Sequence, residues 1–204
     1  MILAAVVLLA GGMSSCGYNS MVAQQETADK SWSEVQNQYK RRADLIGNIV
    51  ATVKGEANFE KSTLVEVVEA RAKATSMKID PKDLTPDKLK EFQSAQAGLS
   101  QALGRLMVIT ENYPNLKANA AFQDLRAEIA GTENRIAVAR RNFNDAVGAY
   151  NTTIRQFPNN MTAGMFNFEK KAYFETEEAN SVAPSVDQML NGAPAPASSP
   201  APAQ

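Results

Sequence analysis

FQDLRAEIAGTENRIAVARRNFNDAVGAYNTTIRQF, Phe122 to Phe157, contains no proline and repeats apolar residues every three or four positions. Phe122, Leu125, Ile129, Thr132, Ile136, Ala139, Phe143, Val147, Tyr150, Ile154 and Phe157 keep this rhythm for about ten turns. A period of 3.6 puts all of them on one stripe, with Glu, Asn, Arg and Asp opposite. The stretch therefore predicts one long helix, opening near Asn115 and closed by Pro158, with a single buried face.

Such a stripe needs partners, and the chain supplies them. Between Ser20 and Met77 there is again no proline, and Val22, Trp32, Val35, Tyr39, Ala43, Ile46, Val50, Val53, Ala57, Leu64 and Val67 recur at helical spacing. This predicts one extended or gently broken helix, ended by Ile79-Asp80-Pro81. Thr85-Pro86-Asp87 then reads as an N-cap, a proline at the first helical position and an acid in the first turn. Leu89, Phe92, Leu99, Leu103, Leu106 and Ile109 carry that helix to Tyr113, where Pro114 breaks it. Asn112-Tyr113-Pro114-Asn115 and Gln156-Phe157-Pro158-Asn159 look alike: an aromatic packs at a helix end and proline restarts the chain. Met161 to Phe174 reads as a shorter fourth helix. No stretch alternates as a strand would. The expected fold is all-α, an elongated antiparallel bundle of three long helices plus a short C-terminal helix.

The 204 residues are 44% hydrophobic and 21% charged, with a net charge of −1, so nucleic acid is not expected as a partner. The absence of histidine removes Ser-His-Asp triads, HExxH zinc sites and imidazole bases together. Glu111 and Glu133 are the candidates for a paired-carboxylate centre, but helical di-iron sites also draw on Glu-x-x-His, which cannot occur here. No cofactor is expected, and no constellation commits the chain to a reaction. Asn151-Thr152-Thr153 and Asn160-Met161-Thr162 fit the glycosylation acceptor pattern.

The one cysteine, Cys16, follows an apolar run from Ile2 to Ala10 and the small residues Gly11-Gly12-Met13-Ser14-Ser15. As a helix, Ile2 to Gly12 spans roughly 16 Å against a hydrocarbon core of about 30 Å. That is too short to cross but suits the apolar core of a secretion signal. Small residues leading to cysteine resemble a bacterial lipobox, which makes the glycosylation reading moot and Cys16 the expected lipid-attachment site. Met13 stands where Leu is usual, and the alternative is a plain cleaved signal or a truncated transmembrane stub, with Cys16 incidental. The domain reading is a signal or anchor segment at 1–15, a helical bundle at 16–178 and a Pro/Ala/Ser tail at 179–204 that cannot bury enough surface to order itself.

Charge is densest at Arg41, Arg42 and Asp44 and at Glu133, Arg135, Arg140, Arg141 and Asp145, and the polar Asn134 lies within the second group. In antiparallel helices the two arginine pairs would meet on a polar strip, the candidate partner-binding surface. Solvated helix faces with weak ion pairs are the duller reading.

Several stretches resemble the LemA family of bacterial membrane proteins: Tyr18-Asn19-Ser20-Met21-Val22, Trp32-Ser33-Glu34-Val35, RRADLIGNIVATVKGEANFE (Arg41 to Glu60), LMVITENYPNLKA (Leu106 to Ala118) and Gly131 to Pro158. The similarity covers Tyr18 to Phe174. It implies a helical bundle held to the membrane by its N-terminus, lying outside the cytoplasm, with no established enzymatic activity. The family usually reads DLIPN where Asp44-Leu45-Ile46-Gly47-Asn48 stands here, and a histidine usual near Asn58-Phe59-Glu60 is absent. The functional expectation is a membrane-tethered scaffold or adaptor of the cell envelope that faces the periplasm and binds a protein partner. The alternative is an accessory or sensor that presents substrates to an envelope protease. Gly17, in place of an acid after the cysteine, leans towards the outer membrane.

Overall fold

The computed structural model describes residues 2–56 and 59–174, with side chains from residue 17 onward. The Cys16 thiol and the tail at 179–204 lie outside the described residues. The chain divides into two units, Met1–Phe174 and Glu175–Gln204. The first unit contains α1 (Ile2–Lys54), α2 (Lys61–Ser76), a 3-10 turn (Pro81–Asp83), α3 (Pro86–Thr110), α4 (Pro114–Ala118), α5 (Ala120–Thr153) and α6 (Asn159–Met165). The described residues are helix and loop with no strand.

The all-helical bundle is as expected, but the stretch from Ser20 to Met77 is two helices. Gly55 and Glu56 close a turn onto Thr52 and Val53, and Phe59 enters the core against the Tyr113 ring, 4.8 Å between centroids. α2 then runs back along α1, with Arg71 Nε donating 2.7 Å to the Ala43 carbonyl. Folding back buries Leu64, Val67 and Ala74 beside Leu99, Leu103 and Leu106. A straight helix would have left these residues in water. α1 passes through Gly47 without interruption. A Cβ at Gly47 would sit 3.2 Å from Arg71 Nε, so glycine there lets the arginine lie across α1. The resulting path is up through α1, down α2, up α3 and down α5.

Local chemistry sets the boundaries. Thr85 caps α3 by accepting from the Lys88 amide, with Pro86 first in the helix, as its sequence predicts. Asn119 caps α5 through the Phe122 amide, so the third long helix starts five residues after Asn115 and α4 stands apart from it. After α6 the chain leaves helix and runs back as a strap. Asn151 exchanges two bonds with the Lys171 backbone (2.9 and 3.0 Å), and Asn144 does the same with Phe174 (3.1 and 2.9 Å). These side chains supply the partners that a helix would otherwise have given the strap.

Trp32 is the hub of the core. It is 0% exposed, touches the rings of Phe92, Phe143 and Phe174 at 5.4–5.9 Å, and donates 2.9 Å to the Ile79 carbonyl. It thus joins α1, α3, α5, the strap and the loop after α2. Elsewhere the stripe reading needs correction in two places. Met21 rather than Val22 faces inward, and Phe157 is 81% exposed although Tyr113 packs as expected.

Trp32→Ala removes a side chain shared by five segments and should cost about 3–5 kcal/mol of unfolding free energy. Denaturant titration followed by far-ultraviolet circular dichroism measures it. Trp32→Phe should cost less, because Gln36 also donates 2.8 Å to the Ile79 carbonyl.

Candidate functional site

The apolar stripe of α1 is interrupted by one cation. Arg42 lies between Tyr39 and Ile46 at helical spacing and is 2% exposed. Its Nη1 donates to Glu133 Oε1 (2.9 Å) and Ser100 Oγ (3.0 Å). Its Nη2 donates to the side-chain oxygen (2.9 Å) and carbonyl (3.2 Å) of Gln96. Gln96 in turn donates 3.1 Å to the Ala74 carbonyl. One guanidinium therefore ties α1 to α3 and α5 directly, and to α2 through Gln96. Its Nε finds no partner, and its charge sits 5.0 Å from the centre of the Tyr39 ring.

At Tyr39 one arginine of each pair comes together, Arg42 and Arg140. Arg140, from α5, bonds to the Tyr39 hydroxyl and lies over the Phe174 ring at 4.8 Å. Burial raises the Tyr39 pKa above its ordinary 10.0, outweighing the two arginines that pull it down; Glu133 adds to the rise. Tyr150 is raised too, first by burial and then by Asp29 and Glu169. Its hydroxyl donates 3.0 Å to the Glu169 carbonyl.

The predicted strip is thus divided. Arg42 belongs to the core and not to the surface, because both of its terminal nitrogens are spent on residues of α3 and α5. Arg140 is half-buried against Tyr39 and Phe174, and Glu133 holds Arg42. Arg41, Asp44, Asn134 and Arg141 face solvent. The sequence did carry the signal for the buried node. Arg42 falls on the Val35–Tyr39–Ile46 stripe, and Gln96 falls on the Leu89–Phe92–Leu99 stripe. Glu111 and Glu133 do not form a pair: Glu111 faces Lys117 and Arg126, while Glu133 faces Arg42. Among the described residues no group of acids or cysteines is gathered as metal ligands would be. Lys117 bonded to the Glu111 carboxylate, with Arg126 behind it, holds that carboxyl below its ordinary range. Asn151 is buried, with both ends of its amide engaged by the strap.

One surface remains open. Asn37, Lys40, Arg41, Asp44 and Asn48 form the exposed face of α1, and beside them a groove of about 540 Å³ lies between α1 and α2. Gln36, Lys40, Asp44, Arg71, Thr75 and Lys78 line its walls, and Tyr39, Phe92 and Gln96 lie deeper. Asp44 bonds Arg71 at 3.4 Å. Among the described residues Lys40, Arg41 and Lys78 have no ion-pair partner, which leaves the surface cationic. Side chains with three donors or a planar fork, over a floor fixed by the Arg42 node, can hold carboxylates or backbone carbonyls.

The family model described as the LemA family matches residues 31–187. The magnetosome protein MamQ 1 of Paramagnetospirillum magneticum is 26% identical, over 79% of this chain and 66% of its own length. MamQ of Magnetospirillum gryphiswaldense is also 26% identical, over 85% of this chain and 71% of its own. The protein LemA of Metamycoplasma hominis is 25% identical, over 85% and 75%. The chain thus spans about two thirds of the length of the magnetosome relatives.

The raised tyrosines make a pH prediction. A group whose folded pKa exceeds its unfolded one contributes stability that is complete below about pH 10 and fades as pH climbs through the folded value. Spectrophotometric titration of the folded protein should show a tyrosinate fraction delayed beyond pH 10, and Tyr39→Phe should shrink that fraction.

Proposed function

The chain belongs to the LemA family, and from that premise and its all-helical fold we propose a membrane-tethered docking scaffold of the cell envelope. The anchor is a lipid on Cys16, with the apolar segment before it as the alternative tether. The bundle faces the periplasm, at the outer membrane in preference to the inner. No helix among the described residues is long and apolar enough to cross a membrane, which is compatible with a lipid as the tether. Two or more acyl chains hold a protein stably where one does not.

The observation that carries the reading is the cationic groove between α1 and α2. It sits on a core filled by aliphatic and aromatic side chains, so its shape is held by packing rather than by a ligand. Its ligand class is an acidic segment of another envelope protein, met by Lys40, Arg71 and Lys78 in the groove and by Arg41 on the α1 face beside it. This moves recognition away from Glu133, Arg140 and the buried Arg42, and keeps Arg41 and Asp44 from the sequence reading. Asn134 and Arg141 stay as an outlying part of the surface on α5. The role is binding, with no step of chemistry assigned to any side chain.

Lys40→Glu with Arg41→Glu reverses charge at two exposed positions, one on the groove wall and one on the α1 face beside it. In cells carrying a photocrosslinker at Asn37, the partner adduct should fall at least about tenfold, since each lost charge-assisted contact is worth roughly 1.5–3 kcal/mol. Helicity by circular dichroism should not change. An unchanged adduct would refute the groove. Deleting residues 182–204 should leave the adduct in place, whereas loss on deletion would favour presentation by the tail.

A further inference from the structure

Between Arg155 and Glu169 the chain carries thirteen residues, Gln156 to Phe168, without a single charge. Four large apolar side chains within them point away from the core. Phe157 is 81% exposed, Met161 67%, Met165 78% and Phe166 55%. Gathered in one ten-residue segment, these are more than the scattered surface apolars of a soluble chain, and such patches mark contact sites.

Their position says what covers them. The segment is held against the first turn of α1 whose side chains are described. A Cβ on Gly17 would lie 2.5 Å from Asn159 Oδ1, so glycine is what lets the two approach. The Tyr18 ring packs edge-on to Phe166 and Phe168 at 4.9 and 5.7 Å. Met21, Tyr150, Ile154 and Ala163 lock the same region from beneath. From Gly17, α1 continues towards Ile2, and Gly12, where the apolar run ends, is only about 7.5 Å further along its axis. The α6 tip therefore packs beside Gly17, one residue from Cys16 and about 7.5 Å along the α1 axis from the end of the apolar run.

We propose that the α6 tip is a lipid-interface dock: Phe157, Met161, Met165 and Phe166 enter the headgroup boundary of the anchoring membrane and fix the bundle's stance on it. This rests on the membrane tether proposed above. Aromatic and thioether side chains without charge suit a depth of about 5–10 Å below the bilayer surface. Arg155 and Lys170, both exposed at the margins of the segment, lie where phosphate headgroups would meet them, with Glu169 the one opposing charge. Exposed at its tip and packed beneath, α6 gives the bundle a second contact beside the anchor.

The test uses the full chain reconstituted in phosphatidylethanolamine–phosphatidylglycerol vesicles, plain or with brominated acyl chains. Trp32, buried among phenylalanines, supplies a steady background. Met161→Trp adds a reporter at the tip, and Asn112→Trp adds one at the exposed turn after α3. The added emission at position 161 should drop about twofold or more on brominated vesicles, as expected for a ring at that depth, while position 112 stays unchanged. Equal quenching at the two positions overturns the dock while leaving the tether intact, provided the protein floats with the vesicles. Failure to float overturns both. Concentration-dependent self-association with no quenching at position 161 assigns the patch to a second copy of the chain and also overturns the proposal.

Discussion

The Arg42 guanidinium sits inside a helical bundle, and the helices are arranged around it. Removing a guanidinium from water is costly unless its donors are met. Four bonds to Ser100, Glu133 and Gln96 engage both terminal nitrogens and leave only Nε unmet, and those residues come from two helices other than its own. Glu133 is itself 48% exposed, so the carboxylate keeps part of its hydration while it neutralises the charge. An apolar stripe can slide by a turn against another stripe at modest cost, but a forked donor with fixed acceptors cannot. The node therefore sets the register of α3 and α5 on α1, and Gln96 extends it to α2. Trp32 does the same work for the strap and the loop after α2, one hydrogen bond at a time, ten residues earlier on α1.

From this register the surfaces follow. With α1 and α2 clamped by Arg71 across Ala43 and by Gln96 across Ala74, the groove between them has walls that do not depend on a bound partner. At the other end of α1, the strap is zipped to Asn144 and Asn151 and pinned by Lys171 to Asp29 at 2.7 Å. That pairing is largely shielded from solvent, so it counts for more than the exposed ion pairs elsewhere. The strap holds α6 against Tyr18, next to the anchor. One face of the bundle is thus cationic and grooved, and one end is apolar.

Much of this was legible in the chain. The stripe from Phe122 to Ile154 and the Thr85-Pro86-Asp87 cap forecast α5 and the start of α3, because period and capping are local signals. The hairpin before α2 was not legible. It depends on Phe59 reaching Tyr113, more than fifty residues away, and helical spacing continues on both sides of the turn. Arg42 reads as surface because it adjoins Arg41 and Asp44, yet its place on the stripe is the better guide. The strap leaves no local signal, since asparagines seven apart on α5 look like any solvated face until a backbone lies along them. Phe157 misleads for the opposite reason: a perfect rhythm continues past the last turn that has anything to pack against.

The most direct measurement of the central claim is a double-mutant cycle between Arg42→Met and Gln96→Leu, read as unfolding free energy from denaturant titrations. If the node fixes the bundle, each single change strands a buried partner and costs about 3 kcal/mol or more, while the pair together costs at least about 1 kcal/mol less than the sum. Costs that add within about 0.5 kcal/mol would mean that the two side chains act independently, and the account built on the buried guanidinium would not stand.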